Sequence, residues 1–467
     1  MIASRSLATM LLACAAGAAA AATTVRSPAE LGVAVSAQLA CAGVYVSGRP
    51  AARVLRDDVR ALAPFMRKVV FTVDDRAHAV TATAPDGGSR TSLFRAGVGC
   101  TLLTGSHEAA DLLAQTQGLV PLPARDAARP WPLGDAPPAG AAPKVNRAAL
   151  DRAVAAAFTA QRARHADTRA IIVVQHGHIV AERYAPGFDR NTRLLGWSMS
   201  KSVVATLAGI LVDDGKLALD AAAPVAAWAG DDRRAITLAQ LLWMRSGLAF
   251  TERYAPGGDA MDMLFASADM AAFAERFPLA APPDTVWSYS SGTANIVSRI
   301  VRDATGGSLA TMTNFARERL FGPAGMTSFV MAADESGTPV GSSYMYATAR
   351  DWARLGLLYL NGGRAGDRRI VSQRWVDFAR SAGGTTTSSP YGAHFWLNTG
   401  EDGHGTKRFL ADLPVDTYCA VGHNFQYVAI IPSRDAVIVR LGWTPEGKSF
   451  DVNRHFAHIL AALEPAR

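Results

Sequence analysis

Four cysteines in 467 residues are few, and no two of them have metal-ligand spacing, which removes zinc fingers and cysteine-held clusters from consideration. Blocks of five or six like charges are absent too. The 47 lysines and arginines are scattered among 40 acidic residues, so the formal charge of +7 forms no stripe suited to a nucleic acid. Zinc-finger, RNA-recognition and helix-turn-helix signatures do not occur. Neither does His-Glu-x-x-His or a phosphate-binding loop, so metalloprotease and nucleotidase readings lack their residues. His176 and His178 flank a turn with no third ligand nearby, and turn residues are commonly polar. A Gly-x-Ser-x-Gly elbow is also missing, and with it the nucleophile signature of the α/β-hydrolases.

What is present describes a globular protein of two or three domains: 49% hydrophobic and 19% charged residues bury a large core and exclude disorder. Residues 1–22 carry a positive charge at Arg5, a short apolar core and an alanine tract, which reads as a secretory signal cleaved near Ala22. The run is too short to span a membrane. Leu11-Leu12-Ala13-Cys14 is similar to a lipoprotein box, although Leu12 fits it poorly, so a lipid anchor at Cys14 is a secondary expectation. In an oxidising compartment Cys41 and Cys100 form the expected disulfide, and Cys419 is left as a buried small side chain.

The organisation follows from composition. Residues 24–120 mix strand-like pieces at 43–46, 69–73 and 79–83 with a helical stretch at 57–67, a small α+β module. Seven prolines between 121 and 143 then deny the backbone donors that a ladder or helix needs, so this tract is a linker or an extended strap. From residue 145 a helix (147–164) and a hairpin turning at His176-Gly177 come first, helices dominate 201–318, and strands at 427–431 and 436–441 precede a final helix at 453–463. That order predicts a sheet built from both ends of the domain around a helical insertion.

The chemistry concentrates in Ser198-Met199-Ser200-Lys201, followed by the apolar run 203–212 and by Gly215, which suits a helix C-cap. Residues three apart share a helix face, so Ser198 and Lys201 can touch. A serine hydroxyl needs a neighbour to take its proton, and burial can depress a lysine enough to do so. A depression of about 3 units costs roughly 4 kcal/mol in the charged form. The N-terminus of the same helix puts the Ser198 N–H where an oxyanion would develop.

Further segments fall in an order that resembles the penicillin-recognising serine hydrolases, among them class C β-lactamases, DD-peptidases, family VIII esterases and 6-aminohexanoate-dimer hydrolases. They are the Ser198–Lys201 tetrad, residues 237–248 ending Arg245-Ser246-Gly247-Leu248, Tyr289-Ser290-Ser291, residues 341–354, and Gly422-His423-Asn424-Phe425-Gln426. The resemblance spans about residues 145–467. It implies an α/β (α+β) fold of the DD-peptidase/β-lactamase type, an antiparallel sheet flanked by helices with a helical subdomain, and Thr348 as a helix N-cap.

The resemblance also implies roles. Ser198 is the nucleophile and Lys201 its base. Tyr289 is the acid/base partner of Lys201, its phenol expected to ionise more readily beside a cation. Ser291 and His423 face substrate, and the N–H groups of Ser198 and Gln426 form the oxyanion hole. Ser291 stands where relatives carry an asparagine, and its hydroxyl reaches less far than an amide. Phe425 stands where a glycine is expected, so it either narrows the cleft or turns outward. Together these point to an exported esterase or amidase that acts on a small or short peptide-like substrate through an acyl-enzyme, with no metal or organic cofactor and no nucleic-acid partner. The alternatives are a β-lactamase or DD-peptidase, and an envelope binding protein that has lost turnover.

Overall fold

The computed structural model describes residues 27–62, 64–159, 167–383, 390–400, 406–444 and 448–465. The secretory leader and the lipid-anchor cysteine expected in the first 22 residues lie outside them, as does the end of the helix expected at 147–164.

A six-stranded antiparallel sheet organises the residues after 145. Strands β5 (Asp167–Gln175) and β6 (His178–Tyr184) form the predicted hairpin, and β10 (Ala436–Trp443) pairs with β5 from Ala436 opposite Gln175 to Trp443 opposite Asp167. Beyond β10 come β9 (Gln426–Ile431), β8 (Tyr418–Gly422) and the short β7 (Trp396–Leu397). The two ends of the domain therefore share one sheet. Its faces separate by the two-residue strand period. Ala170, Ile172 and Val174 enter one apolar cluster, whereas Ile171 and Val173 enter another with Leu150 and Val154 of α2 (Arg147–Thr159) and Phe456 and Ile459 of α6 (Val452–Ala461). Cys419 is buried in that second layer.

The first cluster covers α3 (Met199–Asp213), which packs between the sheet and α4 (Ser291–Ala304). Every residue of α3 from Met199 to Leu211 is buried. A helix enclosed on all sides presents no polar face, so the charge of Lys201 is sealed within it. Thr348 caps α5 (Ala349–Leu360) as predicted, accepting from the Asp351 N–H at 3.3 Å.

The N-terminal residues form an antiparallel meander, β1 (Val70–Asp74), β2 (Ala79–Thr83), β3 (Ser89–Arg95) and β4 (Gly99–Leu102), crossed by α1 (Pro28–Cys41). Cys41 and Cys100 are bonded, joining helix to sheet. Two expectations fail here. The segment 43–46 is not a strand but continues α1 as a wider helical turn over Ala42–Val46. Ser27 caps that helix with a reciprocal Glu30 bond, and no proline intervenes between Pro28 at its start and Pro50, so helix propagation prevails over the β preference of Val44 and Tyr45. The helix expected at 57–67 is also displaced: the chain is helical over 51–59 and again, as a tighter turn, at Pro64–Lys68, because Pro64 supplies no N–H to continue it.

This module belongs to the same apolar cluster as α3. Polar bonds pin it as well. Thr101 Oγ1 donates to Ala333 O at 2.6 Å, and Gln115 Nε2 to Glu335 O at 2.8 Å. The Asp58 carboxylate sits between Arg49 and Arg169, joining the module to β5. The proline-rich tract is a strap across α5: Arg354, 1% exposed, donates to Pro132 O (2.5 Å) and Gly134 O (2.7 Å), pairs with Asp135 and Asp351, and stacks on Trp131. Arg354→Met removes the donor to both strap carbonyls and one partner each of Asp135 and Asp351, and is expected to cost about 3 kcal/mol. Chemical denaturation, with limited proteolysis of the 121–143 strap, checks it.

Candidate active site

Gly196 and Trp197 set the entry to α3. A Cβ at Gly196 would lie 2.3 Å from the Trp352 ring, so only glycine passes there. Trp197 has φ of 48°, a left-handed conformation uncommon for a bulky residue, and its ring is wedged among Tyr344, His423 and Trp443. This turn delivers Ser198 to the N-cap of α3, partly exposed, while Lys201 one turn later is 1% exposed. Among the described residues no backbone carbonyl accepts from the Ser198 N–H.

Lys201 Nζ lies 3.0 Å from each of three oxygens: Ser198 Oγ, Ser291 Oγ and the Ser342 carbonyl. Burial pushes the amine down to about 8, and the negative charge of Glu252 acts against that shift. The lysine thus carries the depressed basicity that its sealed helix implied. Tyr289 lies on the other side, its ring 4.8 Å from Nζ and its phenol beside the Ser198 side chain.

The expected ease of ionisation of Tyr289 is corrected. Burial, reinforced by Glu252, pushes this phenol well above its ordinary value, so it stands protonated beside Ser198 rather than as a phenolate. Burial is the largest cause, and Glu252 adds a negative charge that acts in the same direction.

Ser291 is also not where its substrate-facing role requires it. Its side chain is fully buried, donating to Glu252 Oε1 at 2.6 Å while Nζ approaches from the other side. A hydroxyl too short to reach into the cleft is the right length to bridge a carboxylate and an amine. Ser290 caps α4 and places Ser291 in its first turn.

The β8–β9 turn closes the opposite wall. Gly422 abuts the nucleophile loop, since a Cβ there would lie 2.1 Å from Gly196 O. His423 is exposed, edge-on to Trp197 at 5.5 Å and stacked with Tyr254 at 6.0 Å. Asn424 and Phe425 both have φ of 61°, and Phe425 joins the outer apolar layer with Leu150 and Phe456. Of the two arrangements open to Phe425, the outward one holds. Gln426 pairs with Gly422 at the base of the turn, and its side-chain amide is taken up by His423 O, Asn424 O and Gly442.

Several residues at the site carry no motif. Glu252 and Tyr254 follow Leu248 by four and six residues in a loop without periodicity, and only a carboxylate and a phenol just past the Ser-Gly-Leu segment hint at them. His394 donates from Nδ1 to the Lys201 carbonyl at 3.0 Å and is held neutral by burial, its imidazolium form pushed down to about 3. His176 is bonded to Asp435 at 2.8 Å.

Comparison with known proteins bears on the fold and the family. The chain is 26% identical over 316 residues to the 6-aminohexanoate-dimer hydrolase of Paenarthrobacter ureafaciens, covering 61% of this chain and 75% of that enzyme. Among solved structures, a family VIII carboxylesterase superposes with a TM-score of 0.52 at 16% identity, covering 69% of this chain and 98% of its own. A penicillin-binding protein homologue from Caulobacter crescentus gives 0.51 at 18% identity, with 69% and 97% covered. At such identities the structures speak for the fold, a mixed α/β arrangement of antiparallel sheet and helices. The model of the Beta-lactamase family matches residues 151–462, two thirds of the sequence, and the chain belongs to that family of serine hydrolases.

Proposed function

We propose that this protein is an exported hydrolase that cleaves a carboxylic ester or a linear amide through an acyl-enzyme on Ser198. The observation that carries the reading is the 3.0 Å approach of Lys201 Nζ to Ser198 Oγ within a helix buried enough to bring the amine to about 8. Lys201 takes the Ser198 proton as Oγ attacks the carbonyl carbon. Tyr289, protonated and beside Ser198, passes a proton to the departing oxygen or nitrogen and is refilled from the Lys201 ammonium. The Ser198 N–H supplies one oxyanion donor and the 422–426 turn, expected at Gln426, the other. Water then releases the acyl group by the reverse transfers.

Two features favour an ester or linear amide over a β-lactam. Ser291 is enclosed, so the position that would hold a lactam side chain offers no amide, and the relative from Paenarthrobacter ureafaciens is named for a linear dimer. Aromatic side chains line both sides of the nucleophile, Trp197 and Tyr254 around His423 on one and Trp396 with Trp287 behind Tyr289 on the other. Export is supported by the leader-like residues 1–22 and by the Cys41–Cys100 bond.

The test compares turnover of p-nitrophenyl butyrate, a linear 6-aminohexanoate dimer and a chromogenic cephalosporin, with a fluorophosphonate probe to mark the nucleophile. Ester or linear-amide turnover with probe attached at Ser198 is expected. Faster turnover of the cephalosporin would reverse the ranking, and an unlabelled wild type would leave a binding protein. Because the neutral amine is the base, kcat/KM should rise with pH to a limb near 8 and fall about tenfold per unit below it.

A further inference from the structure

Behind Lys201 lies a set of groups outside the Ser198, Lys201 and Tyr289 machinery. Glu252 accepts three hydrogen bonds: from the Ser291 N–H at 2.7 Å, from the Ser291 hydroxyl at 2.6 Å and from the Tyr254 hydroxyl at 2.6 Å. Ser291 Oγ lies 3.0 Å from Lys201 Nζ on its other side. Tyr254 keeps 40% of its surface exposed while its hydroxyl reaches inward to Glu252 and, at 3.3 Å, Ser291.

The direction of each bond follows from what each group can donate. An ionised carboxylate only accepts, and a serine hydroxyl has a single proton. The shorter bond to the charged oxygen claims that proton over Tyr254. Ser291 Oγ must therefore accept from Lys201, and the Ser342 carbonyl can do nothing else. A neutral amine has two N–H groups and one lone pair. Both N–H groups are now committed, and the remaining neighbour at hydrogen-bond distance is Ser198 Oγ. The lone pair faces the proton it has to remove. After transfer the third N–H takes the same direction, so the ammonium keeps all three partners.

We propose that Glu252 is a positioning residue for the hydrolytic reaction: by holding the Ser291 proton it fixes the polarity of the Ser291–Lys201 bond and so aims the Lys201 lone pair at Ser198. This rests on the serine-hydrolase reading. The proton moves from Ser198 Oγ to Lys201 Nζ as the Oγ–carbon bond forms, and Glu252 gains none. Other groups facing Lys201 are the Tyr289 phenol, raised by burial, and neutral His394 beneath its carbonyl. Glu252 is the charge that acts against the depression of the lysine.

The experiment follows the rate of fluorophosphonate labelling against pH in the full chain, with Ser198→Ala as blank. In Glu252→Gln the loss of the negative charge should move the limb down by roughly one unit or more. Its plateau rate should fall by about tenfold as the amine loses its fixed direction. Glu252→Asp, which keeps the charge, should hold its limb at the wild-type pH. Ser291→Ala, which keeps Glu252 but removes the acceptor, should hold the limb and lose about tenfold on the plateau. A Glu252→Gln profile that overlays the wild type, or one lowered at every pH with its limb unmoved, overturns the assignment. So does an unchanged plateau in Ser291→Ala, which stands as the test should Glu252→Gln fail to fold. Failure of the wild type itself to label removes the serine-hydrolase reading, and this inference with it.

Discussion

Ser198→Ala is expected to abolish covalent labelling and to reduce turnover by on the order of 10⁴-fold or more, because the mechanism then has no atom to carry the acyl group. Lys201→Ala should follow with a loss on the order of 10³-fold, since only water would remain to take the Ser198 proton. The two differ in kind. Lys201→Ala keeps the nucleophile and the Ser198 N–H, so it should still label slowly, and its limb near pH 8 should vanish with the group that titrates. Stopped-flow hydrolysis with mass spectrometry of the labelled peptide separates them. Equal labelling of wild type and Ser198→Ala would place the nucleophile elsewhere and end the acyl-enzyme account.

Cys41→Ser with Cys100→Ser is expected to lower unfolding stability by about 4 kcal/mol, the chain-entropy value for a crosslink that closes a loop of 59 residues. Both cysteines are fully buried, in α1 and β4, so the bond ties the module's helix to its sheet from within. The check is urea unfolding of the wild type with and without reductant, and of the double variant. Reduced wild type should unfold at the midpoint of the double variant. An unchanged midpoint in both would show that apolar packing alone holds the module.

How far the site could be read in advance depended on whether a residue's role was written into a periodicity. Ser198 and Lys201 were legible because a helix fixes the distance between positions three apart, and the apolar run after them announced that the helix would be buried. The sheet assembled from both ends was legible from the order of strand-like runs. The place of Ser291 is not legible because its length fits the gap between an amine and a carboxylate that are distant in sequence. Glu252 lies in a loop, where no period relates a residue to its partner forty positions away. Tyr289 was found by its neighbours in sequence, but its acidity depends on what surrounds it in space, and burial outweighed the nearby cation. In the N-terminal module, Val44 and Val46 read as strand in isolation, whereas the capped helix before them propagates through them.

The link between Trp443 and Asp58 has a consequence for where this protein begins as a folding unit. Trp443 Nε1 donates to Asp58 O at 3.2 Å, and the same indole lies 6.2 Å from the ring of Trp197, whose left-handed turn presents Ser198. The ancestry shared with other hydrolases starts near residue 151, but the brace behind the reactive serine is anchored some ninety positions earlier. A fragment cut at the ancestral boundary would keep every reacting atom and Trp443 itself, but lose the Asp58 carbonyl that anchors that ring. Inheritance and mechanical integrity thus have different edges in this chain, and an excised catalytic segment should be recognisable to a sequence comparison while its nucleophile sits loose.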